Sequence, residues 1–404
     1  MGSLSETASG YAKKNPVRFH MPGHKGRPKN GLNYSLDLTE LFFTDSLYEP
    51  DKKTNLVYAL EKRLSECYFG GADIYSLISC AGATLCVQAS VHALKKSKKN
   101  ANPCIICDRA SHVSFANAVT LLEIAPLWVY PGEDFPEKIA EYAKRQNFGD
   151  ILGVYVTSPD YYGAMKDIGK ISRECKKHSL DLIVDNSHGS HLAFHKNGAM
   201  HPMNLGADVS IDSIHKTLPV LTGAALLFAG SKFDKEKTMR PSMKMFASTS
   251  PSYLILQSVE QMADLLEQKG DFMHGRLLEE IESFEKKAGN LGFAFESGEL
   301  RDPYRIILNC AGSGEKLYYF LASQNIFCEF YDYDSVVAMT SISNEAGDFQ
   351  KLFLALEKFS RDNEIVCPKQ KKAAYPPGVP GTVPGEENHK KGGFCNETHT
   401  CDSP

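Results

Sequence analysis

Short apolar runs alternate with helix-like segments from about Ala72 to Ala229, the pattern of a mostly parallel sheet covered by helices. The runs that predict strands are Ile74–Ser79, Cys104–Asp108, Leu127–Tyr130, Ile151–Thr157, Leu180–Asp185, Val209–Ser213 and Ala224–Phe228. Between them, apolar residues near helical spacing predict helices over Thr84–Lys95, His112–Glu123, Pro136–Gln146 and Ile168–His178. Two longer helices are expected at Pro251–Gln268 and Phe272–Ala288, separated by a hinge at Lys269-Gly270-Asp271. A β/α mixture from Gly292 to Phe359 then reads as a smaller α+β unit. Tyr375 to Glu386 holds too much proline and glycine for helix or central strand and predicts an extended, shaped loop. The polar stretch from Glu387 to Pro404 is expected to be disordered. The expected division is an N-terminal segment over 1–70, a large domain over 71–270, a small C-terminal domain over 271–370 and the loop and tail over 371–404.

Composition narrows the classes. The 404 residues are 42% apolar, enough for a large core and a smaller one. The 49 acidic and 45 basic side chains nearly balance, which leaves no footprint for nucleic acid or an anionic membrane. No run approaches the length of a membrane helix, and Met1 to Lys14 lacks a hydrophobic signal core, so the cytoplasm is the expected location. The 11 cysteines are an odd number scattered through apolar runs, which predicts reduced, buried thiols. Cys104 and Cys107 have C-x-x-C spacing but no second pair follows, so no metal is expected. Asn396-Glu-Thr398 matches a glycosylation acceptor, but without a secretory signal it is expected to stay unmodified.

Several predicted strands end in polar residues, and the carboxyl ends of strands line the ligand crevice of open α/β sheets. Asp185 closes one apolar strand, and Lys216 follows another through Ser213-Ile-His-Lys216. Neighbouring parallel strands would set both side chains along one edge, facing one small ligand. Pyridoxal phosphate (PLP) requires that pair: an amine for its aldehyde and an anion to keep its pyridine nitrogen protonated. Alone, Asp185 also fits a turn or helix cap, and Lys216 an exposed lysine. Ser213 and His215 beside Lys216 are suited to donate to a phosphate monoester. Ser79-Cys-Ala-Gly82-Ala83-Thr84 turns from strand to helix and offers first-turn amides and a hydroxyl to an anion, although capping alone explains such a turn. His112, opening a helix, fits either a ring lying on the pyridine or an exposed residue beside a capping Ser111. His188 fits either a partner of Asp185 or an ordinary loop histidine.

His20-Met-Pro-Gly-His-Lys-Gly26, Thr157-Ser-Pro-Asp-Tyr-Tyr-Gly163, Asp185-Asn-Ser-His-Gly-Ser-His191, Ser213-Ile-His-Lys-Thr-Leu-Pro-Val-Leu-Thr222 and the Tyr375–Glu386 proline segment together resemble the ornithine/lysine/arginine decarboxylase family, in its short form without an N-terminal receiver-like wing. The resemblance covers almost the whole chain. It implies the aspartate-aminotransferase fold (fold type I of the PLP-dependent transferases), with a mostly parallel seven-stranded sheet in the large domain, and a homodimer or a higher assembly of dimers with the site at the subunit interface.

By resemblance, Lys216 is the Schiff-base lysine, Asp185 the pyridinium partner and His112 the stacking ring. Ser213, His215 and Gly82-Ala83-Thr84 form the phosphate cradle, and His188 contacts the cofactor region. Glu386 lies near the cationic end of a basic amino acid, and His24 and Lys25 near the active site. The implied reaction converts arginine, lysine or ornithine, with a lean towards arginine, to the amine and carbon dioxide, feeding polyamine metabolism. Lys216 and His215 are the candidates for returning a proton to Cα. Alternatives are another reaction on this fold, such as transamination or aldol-type cleavage, or a non-catalytic relative that binds PLP or a true decarboxylase as a regulatory subunit. Two departures stand out: Ser187 replaces the usual alanine, and the chain stops soon after Glu386 where relatives continue.

Overall fold

The computed structural model describes residues 3–18, 20–27, 33, 35–38, 56–98, 102–145, 150–195, 198–295, 298–366 and 378–384. Helix α1 (Leu4–Lys13) is opened by a reciprocal cap between Ser3 and Glu6, and α2 (Leu56–Phe69) leads into β1 (Ile74–Ser79). Then follow α3 (Gly82–Ser97), β2 (Cys104–Asp108), α4 (Val113–Leu121), β3 (Ala125–Val129), α5 (Phe135–Lys144), β4 (Ile151–Thr157), α6 (Ile168–Lys177), β5 (Asp181–Asp185), β6 (Val209–Asp212) and β7 (Ala225–Gly230). The seven strands form one sheet in the order β1-β7-β6-β5-β4-β2-β3. Strand β7 runs antiparallel to both its neighbours, and the other pairs are parallel. The expected mostly parallel sheet is what forms, because these strands are buried on both faces and carry almost unbroken apolar sequence.

Register places the chemistry. Thr157 pairs with Asp185, and Asp185 with Ile211, so β4, β5 and β6 end level with one another. The chain leaves β6 through Ser213 into a single 3-10 turn, Ile214–Lys216, which keeps Lys216 at that same edge.

After α7 (Arg240–Phe246), helix α8 runs unbroken over 37 residues, Tyr253–Gly289. The hinge expected at Lys269–Asp271 is therefore corrected. Gly270 is buried within a continuous stripe of Leu266, Gly270, His274, Leu277, Ile281, Phe284 and Ala288, spaced at three or four residues, and this packing outweighs the roughly 1 kcal/mol a helical glycine costs. Helix α8 also receives the N-terminal segment. The Glu260 carboxylate accepts from the Leu4 and Ser5 amides at 2.8 and 2.9 Å, satisfying two of the open donors at the start of α1. The remainder is β8 (Arg305–Asn309), α9 (Gly314–Ser323), β9 (Phe330–Tyr331), β10 (Ser335–Met339) and α10 (Ala346–Asp362). Its strands make a second, antiparallel sheet in the order β8-β10-β9. Among the described residues, no helix is long and apolar enough to cross a membrane.

Candidate active site

Asp185 ends β5 and is 2% exposed. One carboxylate oxygen accepts from the Tyr155 hydroxyl at 3.0 Å; the other accepts from the Ser187 amide at 3.1 Å and the Ser187 hydroxyl at 2.5 Å. Tyr155 projects from β4 and stacks on Phe115, with ring centroids 3.9 Å apart. A carboxylate has about four acceptor sites. Three donors leave room for one more at a buried anion, as a protonated pyridine nitrogen requires.

Lys216 points into the same region. Its Nζ lies 3.0 Å from His188 Nε2, and the far side of that ring, Nδ1, lies 3.2 Å from Arg305 Nη2. Burial pulls the Lys216 amine below its ordinary pKa; Asp185 opposes this, Arg305 adds to it, and Glu329 opposes it. Burial also holds His188 well below the usual imidazole range, reinforced by Lys216 and Arg305. His188 is thus a neutral ring between two basic groups.

His112 caps α4 itself, its Nδ1 accepting from the Ser114 amide at 3.1 Å. Burial lowers its pKa, and Asp185 and Lys216 both act on it, which puts it within electrostatic range of the pair. Over its ring passes the proline segment. Val113 N–H donates to the Gly378 carbonyl at 2.7 Å, and Arg109 donates to the Pro380 and Gly381 carbonyls at 3.0 and 2.9 Å. Trp128 Nε1 donates to the Pro384 carbonyl at 2.9 Å. Gly378 adopts φ +85, and a Cβ there would stand 2.4 Å from His112 Cδ2, so both conformation and space demand glycine.

At the start of α3 the N-cap residue, Ala81, makes no side-chain hydrogen bond. Gly82, at φ +72, donates to the Gly223 carbonyl at 2.8 Å and turns the chain so that Ala83 and Thr84 open the helix. The uncapped first turn suits an anion.

The other expected residues are held by their own neighbours. The His215 ring, next to Lys216 in sequence, is tied through Nδ1 to the Ala224 carbonyl at 2.9 Å. Ser213 is buried, and its carbonyl accepts from the Lys216 amide at 3.0 Å. His24 is held within its own segment, between Asp37 at 3.0 Å and the Gly26 amide at 2.9 Å, while Lys25 Nζ donates to the His20 carbonyl at 2.7 Å. Glu386 and Asn396 lie outside the described residues. Cys104 and Cys107 are buried in β2.

Sequence reasoning missed Tyr155, Arg305 and Glu329. Tyr155 sets a hydroxyl among the apolar residues of β4, and Arg305 opens a strand with an apolar centre, a signal that was available. Glu329 carried no such mark; it accepts from the Tyr161 hydroxyl at 2.6 Å. An amine, a buried carboxylate with one open acceptor site, a ring within electrostatic range of both and an uncapped helix terminus are the groups that PLP fits.

A family model described as Orn/Lys/Arg decarboxylase, major domain, matches residues 3–340. The arginine decarboxylase of Halalkalibacterium halodurans is 23% identical over 400 residues, covering 92% of this chain and 79% of that protein. Among solved structures, the lysine decarboxylase of Francisella novicida superposes with a TM-score of 0.73 at 19% identity, over 89% of this chain and 60% of that one. An archaeal O-phosphoseryl-tRNA(Sec) selenium transferase superposes with a TM-score of 0.62 at 14% identity, over 88% of each chain. The chain thus spans about 60% of the length of the lysine decarboxylase structure it matches.

Proposed function

The chain belongs to the Orn/Lys/Arg decarboxylase family, and from that premise we propose that it is a PLP-dependent decarboxylase of a basic amino acid, with arginine the first substrate to test. The observation that carries this reading is the convergence of Lys216 and Asp185, from the ends of neighbouring strands, into one cluster with His188 and His112.

In this reading PLP, when bound, supplies an aldehyde for amine capture and a pyridinium that takes up the electron pair left when carbon dioxide departs. Asp185 holds the proton at the pyridine nitrogen, and its three donors keep the carboxylate aimed. Lys216 provides the amine, and its burial lowers its pKa and so favours the uncharged form. His112 covers one face of the ring. The first turn of α3, with Ser213, receives the phosphate. Lys216 Nζ is also the group suited to return a proton at Cα, with His188 rather than His215 beside it.

Glu386 follows a loop fastened at Gly378, Pro380, Gly381 and Pro384, and we assign it to the distal cation of the substrate. His24 and Lys25 stay candidates for substrate contacts from the N-terminal segment. The working protein in this proposal is a cytoplasmic homodimer whose amine product supplies polyamine formation.

The test is direct. Purified protein with PLP is given arginine, lysine and ornithine separately, and amine and carbon dioxide are quantified. No product from any of the three refutes the proposal. Lys216→Ala should abolish the visible absorbance of the bound cofactor, and an unchanged spectrum rejects Lys216. Glu386→Gln should weaken KM for the preferred amino acid by about tenfold, the loss of one charge-assisted pair; equal kinetics remove Glu386 from the site.

A further inference from the structure

His188 stands between two groups that constrain it chemically. Arg305, 3% exposed, begins β8 and reaches across from the smaller sheet to the edge of the larger one. A guanidinium has five N–H donors and no acceptor. Its Nη2 at 3.2 Å from His188 Nδ1 therefore forms a hydrogen bond only if Nδ1 offers its lone pair. In a neutral imidazole the proton then sits on Nε2, the nitrogen 3.0 Å from Lys216 Nζ. An N–H aimed at that distance needs a lone pair on Nζ, which an ammonium lacks.

The alternative arrangement, an ammonium donating to Nε2, puts the proton on Nδ1 and sets it against the guanidinium. Arg305 is not free to turn away. Asp302 Oδ2 lies 3.5 Å from Nη2, and Asp302 is itself held by His191 at 2.7 Å and the Tyr304 amide at 2.9 Å. Nε and Nη1 of Arg305 are buried and have no hydrogen-bond partner among the described residues, so the guanidinium's positive field is only partly cancelled.

We propose that Arg305 is a positioning residue: by donating to His188 Nδ1 it fixes the Nε2–H tautomer of His188, which in turn holds Lys216 Nζ as an uncharged amine. Only an uncharged amine adds to a carbonyl, so the device readies Lys216 for its aldehyde partner before any ligand arrives. The groups facing Nζ are Asp185 from β5, His188 from the turn after it, Arg305 from β8 and Glu329 before β9; His112, at the head of α4, lies within range. Asp185 and Glu329 favour the ammonium, and Arg305 opposes them. The inference rests on the reading of Lys216 as the reacting amine, but it concerns proton location and not turnover.

The test uses the full chain stripped of cofactor. Nitrogen-proton correlation spectra of protein carrying isotope-labelled histidine distinguish Nδ1–H, Nε2–H and doubly protonated rings, and His188→Asn identifies the resonance. In parallel, the labelling rate of Lys216 by an amine-reactive reagent is followed against pH by mass spectrometry. The expected parent spectrum is a neutral Nε2–H ring. Arg305→Met should lose that tautomer and label Lys216 severalfold more slowly near neutral pH. Arg305→Lys keeps a donor and a charge, and should retain both properties.

An Nδ1–H or doubly protonated His188 in the parent overturns the proposal, and so does an Arg305→Met protein with unchanged tautomer and labelling. If the methionine variant does not fold, the parent spectrum and the lysine variant still decide: loss of the tautomer in Arg305→Lys counts against a donor-set mechanism. Because neither measurement requires substrate, failure here leaves decarboxylation untouched, and a protein inactive on all three amino acids can still pass.

Discussion

Tyr155→Phe isolates one contact at the centre of the site. The substitution removes a hydroxyl whose hydrogen bond to Asp185 spans 3.0 Å in a fully buried setting, while the ring that stacks on Phe115 at 3.9 Å is kept. No cavity of consequence opens. The loss is therefore close to that of a hydrogen bond to a charged acceptor, about 1.5–3 kcal/mol. Of the three donors to the Asp185 carboxylate, both from Ser187 are local; Tyr155 is the one that reaches it from β4.

Urea denaturation of the cofactor-free protein should show a drop of about 2 kcal/mol. PLP affinity should fall by roughly tenfold, since 1.4 kcal/mol of misplaced carboxylate corresponds to that factor. The assignment is tested by a double-mutant cycle. In an Asp185→Asn background the acceptor is no longer charged, and Tyr155→Phe should cost about half as much. If the two substitutions instead add within about 0.5 kcal/mol, the hydroxyl and the carboxylate are not coupled and the reasoning about Asp185 fails.

Gly378→Ala combines a left-handed backbone, costing about 1–2 kcal/mol for a non-glycine residue, with a Cβ 2.4 Å from His112 Cδ2; the loop should lift, and hydrogen exchange at the Val113 amide should accelerate, whereas unchanged protection would show that the contact does not hold the loop. His274, pushed from 6.5 to about 3 by burial and then by His191 and His195, binds its proton more weakly folded than unfolded. Its contribution to stability is complete above pH 6.5 and is lost as pH falls towards 3, by at most about 1.4 kcal/mol per pH unit. His274→Phe should flatten that slope in urea midpoints measured across the window; an identical slope would assign the acid limb to other groups.

The sheet was readable because its strands are short, apolar and buried on both faces, so that β2, β4 and β5 stand out against amphipathic helices. Strand ends then pointed to Asp185 and Lys216, since a parallel sheet gathers such ends at one edge. Nearness in sequence was a poorer guide than nearness in space. His215 adjoins Lys216 along the chain, yet the 3-10 turn sends its ring to Ala224, and it is His188, 28 residues away, that meets Nζ. Arg305 belongs to a different sheet, and no local pattern links it to His188. The expected hinge failed for a related reason: Gly270 reads as a break when taken alone, but its neighbours at three- and four-residue spacing continue one buried face.

That uninterrupted helix has a mechanical meaning. At 1.5 Å per residue, its 37 residues make a strut about 55 Å long. Near its amino end Glu260 braces the first turn of α1, and towards its carboxyl end Phe284 meets Phe349 of α10. A beam without a joint resists bending, so the segment held at Glu260 and the helix met at Phe284 keep a fixed separation along one member.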